Sequence, residues 1–130
     1  MKIFLSLILC FLFITCYTDN ALTYGNYKLK NTNCYKLSPS EYKLCVDSVS
    51  DSRCPINVNC VWEGNAAVYF TLSSKHEDIP FTLNTFSNFK QDTIINGITF
   101  SLVDVLPYPD TTNARNQEAY YVNIDISDSE

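Results

Sequence analysis

Side chains that could act in catalysis are few in this sequence and lie far apart. His76 is the single histidine and sits in the polar run 73–78, which is typical of a solvated hairpin turn. A general base needs an orienting partner and a pocket, and neither is suggested there. With three glycines in the chain there is also no glycine-rich phosphate loop. We therefore predict that the protein is not an enzyme and uses no cofactor or metal.

The N-terminal segment resembles an export signal. Lys2 precedes an apolar run from Ile3 to Ile14, and a short positive region followed by about a dozen apolar residues is the layout of a signal peptide. The run is too short to span a bilayer, which takes about 20 residues. We predict a signal peptide over residues 1–15.

Two cleavage sites are compatible with this signal. The preferred one lies before Cys16, in a lipobox-like sequence in which Thr15 replaces the usual small residue, and it makes Cys16 a lipid anchor. Residues 16–21 are then a tether and residues 22–130 a single domain, on an extracytoplasmic, outer-membrane-anchored lipoprotein. The alternative cut, between Thr18 and Ala21, gives a secreted protein.

Four cysteines remain in the predicted domain, and an oxidising compartment favours disulfides. Cys54 and Cys60 enclose a short loop that begins with Pro55, which favours one bridge there. Cys34 and Cys45 then pair by elimination. A zinc site is the weaker alternative, because the spacing lacks two Cys-x2-Cys knuckles.

Strand parity supports the second bridge. If the chain folds back at Pro39-Ser40, Cys34 faces Cys45 on the outer side of a hairpin, while tyrosines and leucines face inward. The same register sets Lys36 opposite Lys43, a mildly destabilising pair.

Apolar residues alternate with polar ones along most of the domain, which predicts β-strands and no long helix. Asn96-Gly97 between apolar runs is the sequence of a two-residue hairpin turn. The fold class predicted is all-β: seven or eight short antiparallel strands in a small disulfide-stabilised barrel or sandwich. We prefer a closed barrel because it leaves no exposed strand edges.

Two long connections could carry function, Asp51–Gly64 and Pro107–Glu118. In the first, we expect Asp51 and Arg53 to pair or to bond loop backbone, and Trp62 to plug the end of the barrel. A rigid loop flanked by Cys and Pro is also what a peptidase inhibitor presents, since a preorganised loop loses little entropy on docking.

The sequence Asp-Ser-Arg-Cys-Pro, four residues, then Cys-Val-Trp-x-Gly, here residues 51–64, resembles a set of small bacterial surface lipoproteins. The likeness extends to Leu102–Pro109 and to the strand Tyr120–Ile126. Cys34 and Cys45 are additions to the common pattern. These lipoproteins include proteins similar to the potempin-type peptidase inhibitors, so the resemblance implies an OB-like barrel and inhibition of a secreted peptidase.

The first functional hypothesis is therefore a peptidase inhibitor that blocks an active-site cleft with the disulfide-pinned loop. Its expected contact residues are Ser50, Asp51, Ser52, Arg53 and Pro55, with Tyr108 and Arg115 as an alternative loop. A serine peptidase would accept Arg53 or Arg115 in its primary pocket; a zinc peptidase would bind a backbone carbonyl or Asp51. We expect a monomer whose membrane contact is the lipid alone. The net charge of −5 and the lack of a basic cluster argue against a nucleic-acid partner.

The second hypothesis is a non-catalytic cell-surface binding module for a protein or glycan. Tyr69, Tyr108 and Tyr121 are expected to point outward or to lie in loops. A cluster of these tyrosines would favour this function.

Overall fold

The structure is a computed structural model that describes residues 21–112 and 116–130. The predicted signal peptide, the anchor Cys16, almost all of the tether and Arg115 lie outside these residues, so what the sequence suggests about them stays a prediction. Within the described ranges, no helix is long and apolar enough to cross a membrane.

Eight β-strands and one short 3-10 helix, Gln117–Ala119, make up the regular structure of the described residues. In chain order the strands are β1 (Gly25–Lys30), β2 (Cys34–Lys36), β3 (Lys43–Asp51), β4 (Ala66–Ser73), β5 (Asp78–Asn84), β6 (Asp92–Ile95), β7 (Ile98–Leu106) and β8 (Tyr121–Asp128). The all-β class and the number of strands are confirmed.

The strands form two four-stranded antiparallel sheets, with the orders β1-β8-β7-β6 and β2-β3-β4-β5. The preferred closed barrel is not formed by the described strands. The strand edges that a barrel would remove are protected in other ways. Edge strands β2 and β6 have only three and four residues, and edge strand β5 carries Pro80. Short edges and a proline on an edge discourage pairing with another chain.

One core lies between the two sheets. Strand alternation places one face of each sheet in it, and its largest fully buried side chains are Phe70 and Phe100. Phe81 links the layers, because its ring lies 5.0 Å from that of Phe70 in its own sheet and 5.3 Å from that of Phe100 in β7. Ring pairs at this distance add to the stabilisation from apolar burial.

Both disulfides are confirmed, together with the register that the sequence predicts around one of them. Cys34 pairs with Cys45 and Lys36 lies opposite Lys43, across β2 and β3. The hairpin at Asn96-Gly97 is confirmed as well, since φ is 49° at Asn96 and 79° at Gly97.

The connections divide between two ends of the molecule. The turn end holds the start of the described chain and the short turns 37–42, 74–77 and 96–97. Leu22 forms a β-bridge with Leu37 there, and Asn96 Nδ2 donates to Tyr42 Oη at 2.6 Å. The loop end holds the long connections 52–65, 85–91 and 107–120. Strands β3 and β7, of nine residues each, separate the ends by about 30 Å at about 3.3 Å per residue.

Gln117, in the 3-10 helix, holds the 107–120 connection onto the sheets. Its Oε1 accepts from buried Asn31 Nδ2 at 2.8 Å and from Val49 N at 3.0 Å. Its Nε2 donates to Val49 O at 2.8 Å. One side chain thus hydrogen-bonds to Asn31, which follows β1, and to the backbone of Val49, within β3.

Replacing Gln117 by Ala should lower the free energy of unfolding by about 2 kcal/mol, because the N–H and C=O of buried Val49 lose their side-chain partner and Asn31 Nδ2 keeps only the backbone carbonyl of residue 117. Urea denaturation of the variant and the parent protein measures this. Glu118→Ala, at an exposed neighbouring position, is the control and should change stability by less than about 0.5 kcal/mol. Equal losses in the two variants would contradict the role given to Gln117.

Candidate functional site

The candidate site is the disulfide-closed loop at the loop end. Cys54 and Cys60 are bonded, with their Cα atoms 5.9 Å apart. Below the bridge the β3–β4 hairpin continues, because Ser52 N donates to Asn65 O at 2.8 Å and Cys54 N donates to Glu63 O at 2.8 Å. The two arms of the loop are therefore fixed to each other at its base.

A second set of contacts holds the loop against the 107–112 segment. Ile56 N donates to Pro109 O at 3.1 Å. Thr111 N donates to Asn57 Oδ1 at 3.1 Å, and Asn57 Nδ2 donates to Thr111 Oγ1. Since these bonds join segments more than 50 positions apart in sequence, the loop is fixed by the rest of the fold as well as by its own disulfide.

Arg53 anchors the loop base in the interior. Its side chain makes a bidentate pair with Asp51, Nε to Oδ1 at 2.9 Å and Nη2 to Oδ2 at 2.8 Å. Nη1 also donates to Val105 O at 2.7 Å, and Nη2 to Pro107 O at 3.1 Å. The guanidinium lies 4.4 Å from the ring centre of Tyr108. It therefore joins the end of β3, in one sheet, to the end of β7, in the other.

These contacts correct two roles expected from the sequence. Arg53 and Asp51 are 4% and 8% exposed, so neither reaches a peptidase pocket or its zinc ion in this fold. Withdrawing Arg53 would leave the Asp51 carboxylate buried without its partner, which costs about 3–5 kcal/mol. The expectation that the two residues pair within the loop base is confirmed.

The other expected contact residues lie around this base. Ser50 and Ser52 are exposed and Pro55 is half-buried. Tyr108 is exposed at its edge while its face covers Arg53. The structure thus brings together the two loops singled out from the sequence, although it does not describe Arg115.

Opposing effects set the pKa of Asp51. Burial alone would raise the pKa, but hydrogen bonds from the Arg53 side chain and backbone N–H outweigh it, together with the positive charge of Arg53 and a bond from Tyr120 Oη at 3.2 Å. The net pKa lies below the ordinary 3.8. Asp51 is therefore ionised at neutral pH, as the ion pair requires.

Four apolar side chains point into solvent from the loop, and we call them the apolar tip: Ile56, Val58, Val61 and Trp62. Their exposed fractions are 70%, 44%, 106% and 51%. The expectation that Trp62 plugs the core is wrong. Arg53 occupies the interior position at this end, and Trp62 packs instead with its edge against Phe86, the ring centres 5.6 Å apart.

The apolar surface continues onto the neighbouring 85–91 connection. Phe86 contacts Phe89 with ring centres 5.5 Å apart, and Phe89 is 50% exposed. Sequence reasoning missed these two residues because they lie in a polar segment without periodicity. Two phenylalanines spaced by three residues in such a segment were the one available signal.

Gly64 allows the two arms to approach closely behind the tip. Its φ is +77°, and a Cβ there would lie 2.1 Å from Ser52 O and 2.6 Å from Arg53 Cα. Both the backbone conformation and the contact exclude a side chain.

The tyrosines expected to form an aromatic face lie apart. Tyr69 projects from β4 in one sheet, and Tyr121 from β8 in the other, where Lys28 Nζ sits 4.7 Å from its ring centre. Tyr108 is at the loop end, against Arg53. The cluster that would favour a tyrosine-lined binding face is not formed.

The described part of the loop end offers apolar side chains and peptide groups to a partner. Its cysteines are bonded to each other, and His76 lies in the 74–77 turn at the opposite end. Among the described residues, no group of three or more His, Cys, Asp or Glu side chains is placed to hold a metal ion.

Comparisons with known proteins found no matching family model, no matching curated protein and no matching solved structure.

Substituting Gly64 by Ala should destabilise the protein by at least about 3 kcal/mol, because the methyl group would overlap backbone atoms of the opposite arm. Gly97→Ala is a matched control: its φ is +79°, but a Cβ there meets nothing within 4 Å. The control should cost about 1 kcal/mol from backbone strain alone. Thermal unfolding of both variants checks this, and equal losses would show that the close contact is unimportant.

Replacing Asp51 by Asn should lower stability at pH 7 by about 3 kcal/mol, because buried Arg53 loses its counter-charge. Since folding lowers the pKa of Asp51, its contribution is complete above the ordinary value of 3.8 and is lost as pH falls below it. The stability gap between the parent protein and the variant should therefore stay constant down to about pH 4 and narrow as the pH falls further. Denaturation curves on both sides of this pH test the prediction, and a gap independent of pH would contradict it.

Proposed function

We propose that this protein is a non-catalytic inhibitor of a secreted peptidase and that it places the apolar tip in the active-site cleft of its partner. One observation carries the proposal: a loop fixed at its base by a disulfide, backbone bonds and a buried arginine holds apolar side chains in solvent. Export to the compartment in which such peptidases act is predicted from residues 1–15.

The tip has the physical properties of a binding surface. Exposed apolar side chains that cluster on one rigid element mark interaction sites more often than scattered ones do. Because the loop is already fixed in the free protein, docking would cost little conformational entropy. Tryptophan in particular contributes a large contact area to interfaces.

The resemblance to lipoproteins that include potempin-type inhibitors supports the same function. In the structure, five specified residues of the shared motif build the loop base: Asp51, Arg53, Cys54, Cys60 and Gly64. Two others, Val61 and Trp62, belong to the apolar tip. The unspecified positions 56–59 lie within the presented loop. The resemblance therefore covers the loop base and half of the apolar tip, although the OB-like barrel that it implies is replaced here by two open sheets.

The placement of the tip fits a tethered inhibitor. The described chain begins at Ala21, at the turn end, and the tip lies at the loop end. With a lipid on Cys16 and residues 16–21 as a short tether, the turn end would face the membrane. The apolar tip would then point away from it, toward partners in the surrounding medium.

A surface module that binds a non-peptidase protein is the second candidate. It is favoured by Phe86 and Phe89, which extend the apolar surface beyond the loop. Such a partner would be captured without loss of any peptidase activity.

Replacing both loop cysteines (Cys54→Ala with Cys60→Ala) should weaken inhibition at least tenfold, or about 1.4 kcal/mol in affinity, because the tip becomes flexible. The assay titrates residues 22–130, which hold all eight strands, against trypsin-like, subtilisin-like and zinc peptidases. The parent protein should inhibit at least one of them at micromolar concentration or below.

The matched control removes the other bridge, Cys34→Ala with Cys45→Ala. It lies in β2 and β3, away from the loop, so its loss should lower stability while inhibition by the folded protein is retained. If the parent protein inhibits none of the three classes at micromolar concentration, the proposed function is wrong.

A further inference from the structure

We infer that the partner is a serine peptidase with an apolar primary specificity pocket, and that Val61 is the residue that enters the pocket. The inference rests on the proposed function and specifies the partner of the same site. Three observations support it: the exposure of Val61, the lack of backbone hydrogen bonds around it, and the lack of charged side chains in residues 54–62.

Val61 is the most exposed residue of the apolar tip. Its exposed fraction is 106%, against 70% for Ile56 and 51% for Trp62. The preceding residue, Cys60, is bonded to Cys54, and two positions after Val61 the carbonyl oxygen of Glu63 accepts the hydrogen bond of Cys54 N. A β-branched side chain has few rotamers, so Val61 projects with little freedom to lose on binding.

The backbone around Val61 is available to a partner. Among the residues that the structure describes, the peptide groups of Val61 and Trp62 make no backbone hydrogen bond. Ile56 differs, because its N–H is used by Pro109 and it lies in a turn closed by Val58 N donating to Pro55 O at 3.3 Å. Free N–H and C=O groups are what an enzyme needs to bind a segment through its main chain.

The side chains of residues 54–62 argue against two other pocket types. Residues 54–62 carry no charged side chain, and the nearby cation, Arg53, is buried in its pair with Asp51. A pocket that selects Lys or Arg therefore finds no ligand here. Zinc is bound best by a carboxylate, imidazole or thiolate. Residues 54–62 carry none of these, because both cysteines are in the disulfide, and the exposed carboxylate of Glu63 lies two positions beyond Val61. Val61 and its direct neighbours therefore bring no such side chain to a zinc ion.

The inference is tested by titrating residues 22–130 against four purified peptidases: subtilisin, elastase, trypsin and the zinc enzyme thermolysin. The parent protein should inhibit subtilisin or elastase at a concentration at least 100-fold lower than it needs for trypsin or thermolysin. Val61→Lys should weaken that inhibition at least tenfold and create inhibition of trypsin. Val61→Asp should abolish inhibition of the apolar-pocket enzymes without a gain against trypsin.

Ile94→Lys is the matched control, since Ile94 is 63% exposed and lies in edge strand β6 outside the loop. It should leave all four titrations unchanged. Circular dichroism spectra should be the same for every variant, because both substituted positions are exposed.

The outcomes separate the inference from the proposed function. If trypsin or thermolysin is inhibited while subtilisin and elastase are not, the inference is overturned and the proposed function as an inhibitor stands. If Val61→Lys leaves inhibition unchanged while removal of the Cys54–Cys60 bridge weakens it, another tip residue fills the pocket. If none of the four enzymes is inhibited, both proposals fail.

Discussion

The buried pair of Arg53 and Asp51 is the interaction on which the structure of the loop end depends. A buried ion pair on its own contributes little net stability, because desolvation offsets the attraction between its charges. Here the guanidinium also donates to two carbonyls at the end of β7, so its hydrogen bonds are made on both sides. The pair therefore fixes the position of the loop base relative to both sheets.

This position decides which side chains the loop exposes. With Arg53 in the interior and Gly64 against the opposite arm, Trp62 stays outside and contacts Phe86. The apolar core, which includes Phe70 and Phe100, lies between the sheets and contains no residue of the apolar tip. The residues that form the core are thus largely separate from those of the apolar tip.

The strands could be predicted from the sequence because their signals are local. Alternation gave the strands, and parity around Pro39 gave the pairing of Cys34 with Cys45. The burial of Arg53 could not be predicted in this way, since its carbonyl partners are 52 and 54 positions away. The closed barrel was preferred to a two-sheet sandwich for a similar reason: whether an edge strand needs covering depends on its length and on neighbours far away in sequence.

The two disulfides have different structural roles. By the loop-entropy estimate, each bridge stabilises the fold by about 2–3 kcal/mol through the unfolded chain, so their energies do not distinguish them. Their surroundings do. Cys34–Cys45 joins strands that are already paired. Cys54–Cys60 lies in the segment 54–62, in which Asn59, Val61 and Trp62 make no backbone hydrogen bond among the described residues. The second bridge therefore helps to fix a segment in which few backbone hydrogen bonds are made, as the preorganised loop of the proposed inhibitor requires.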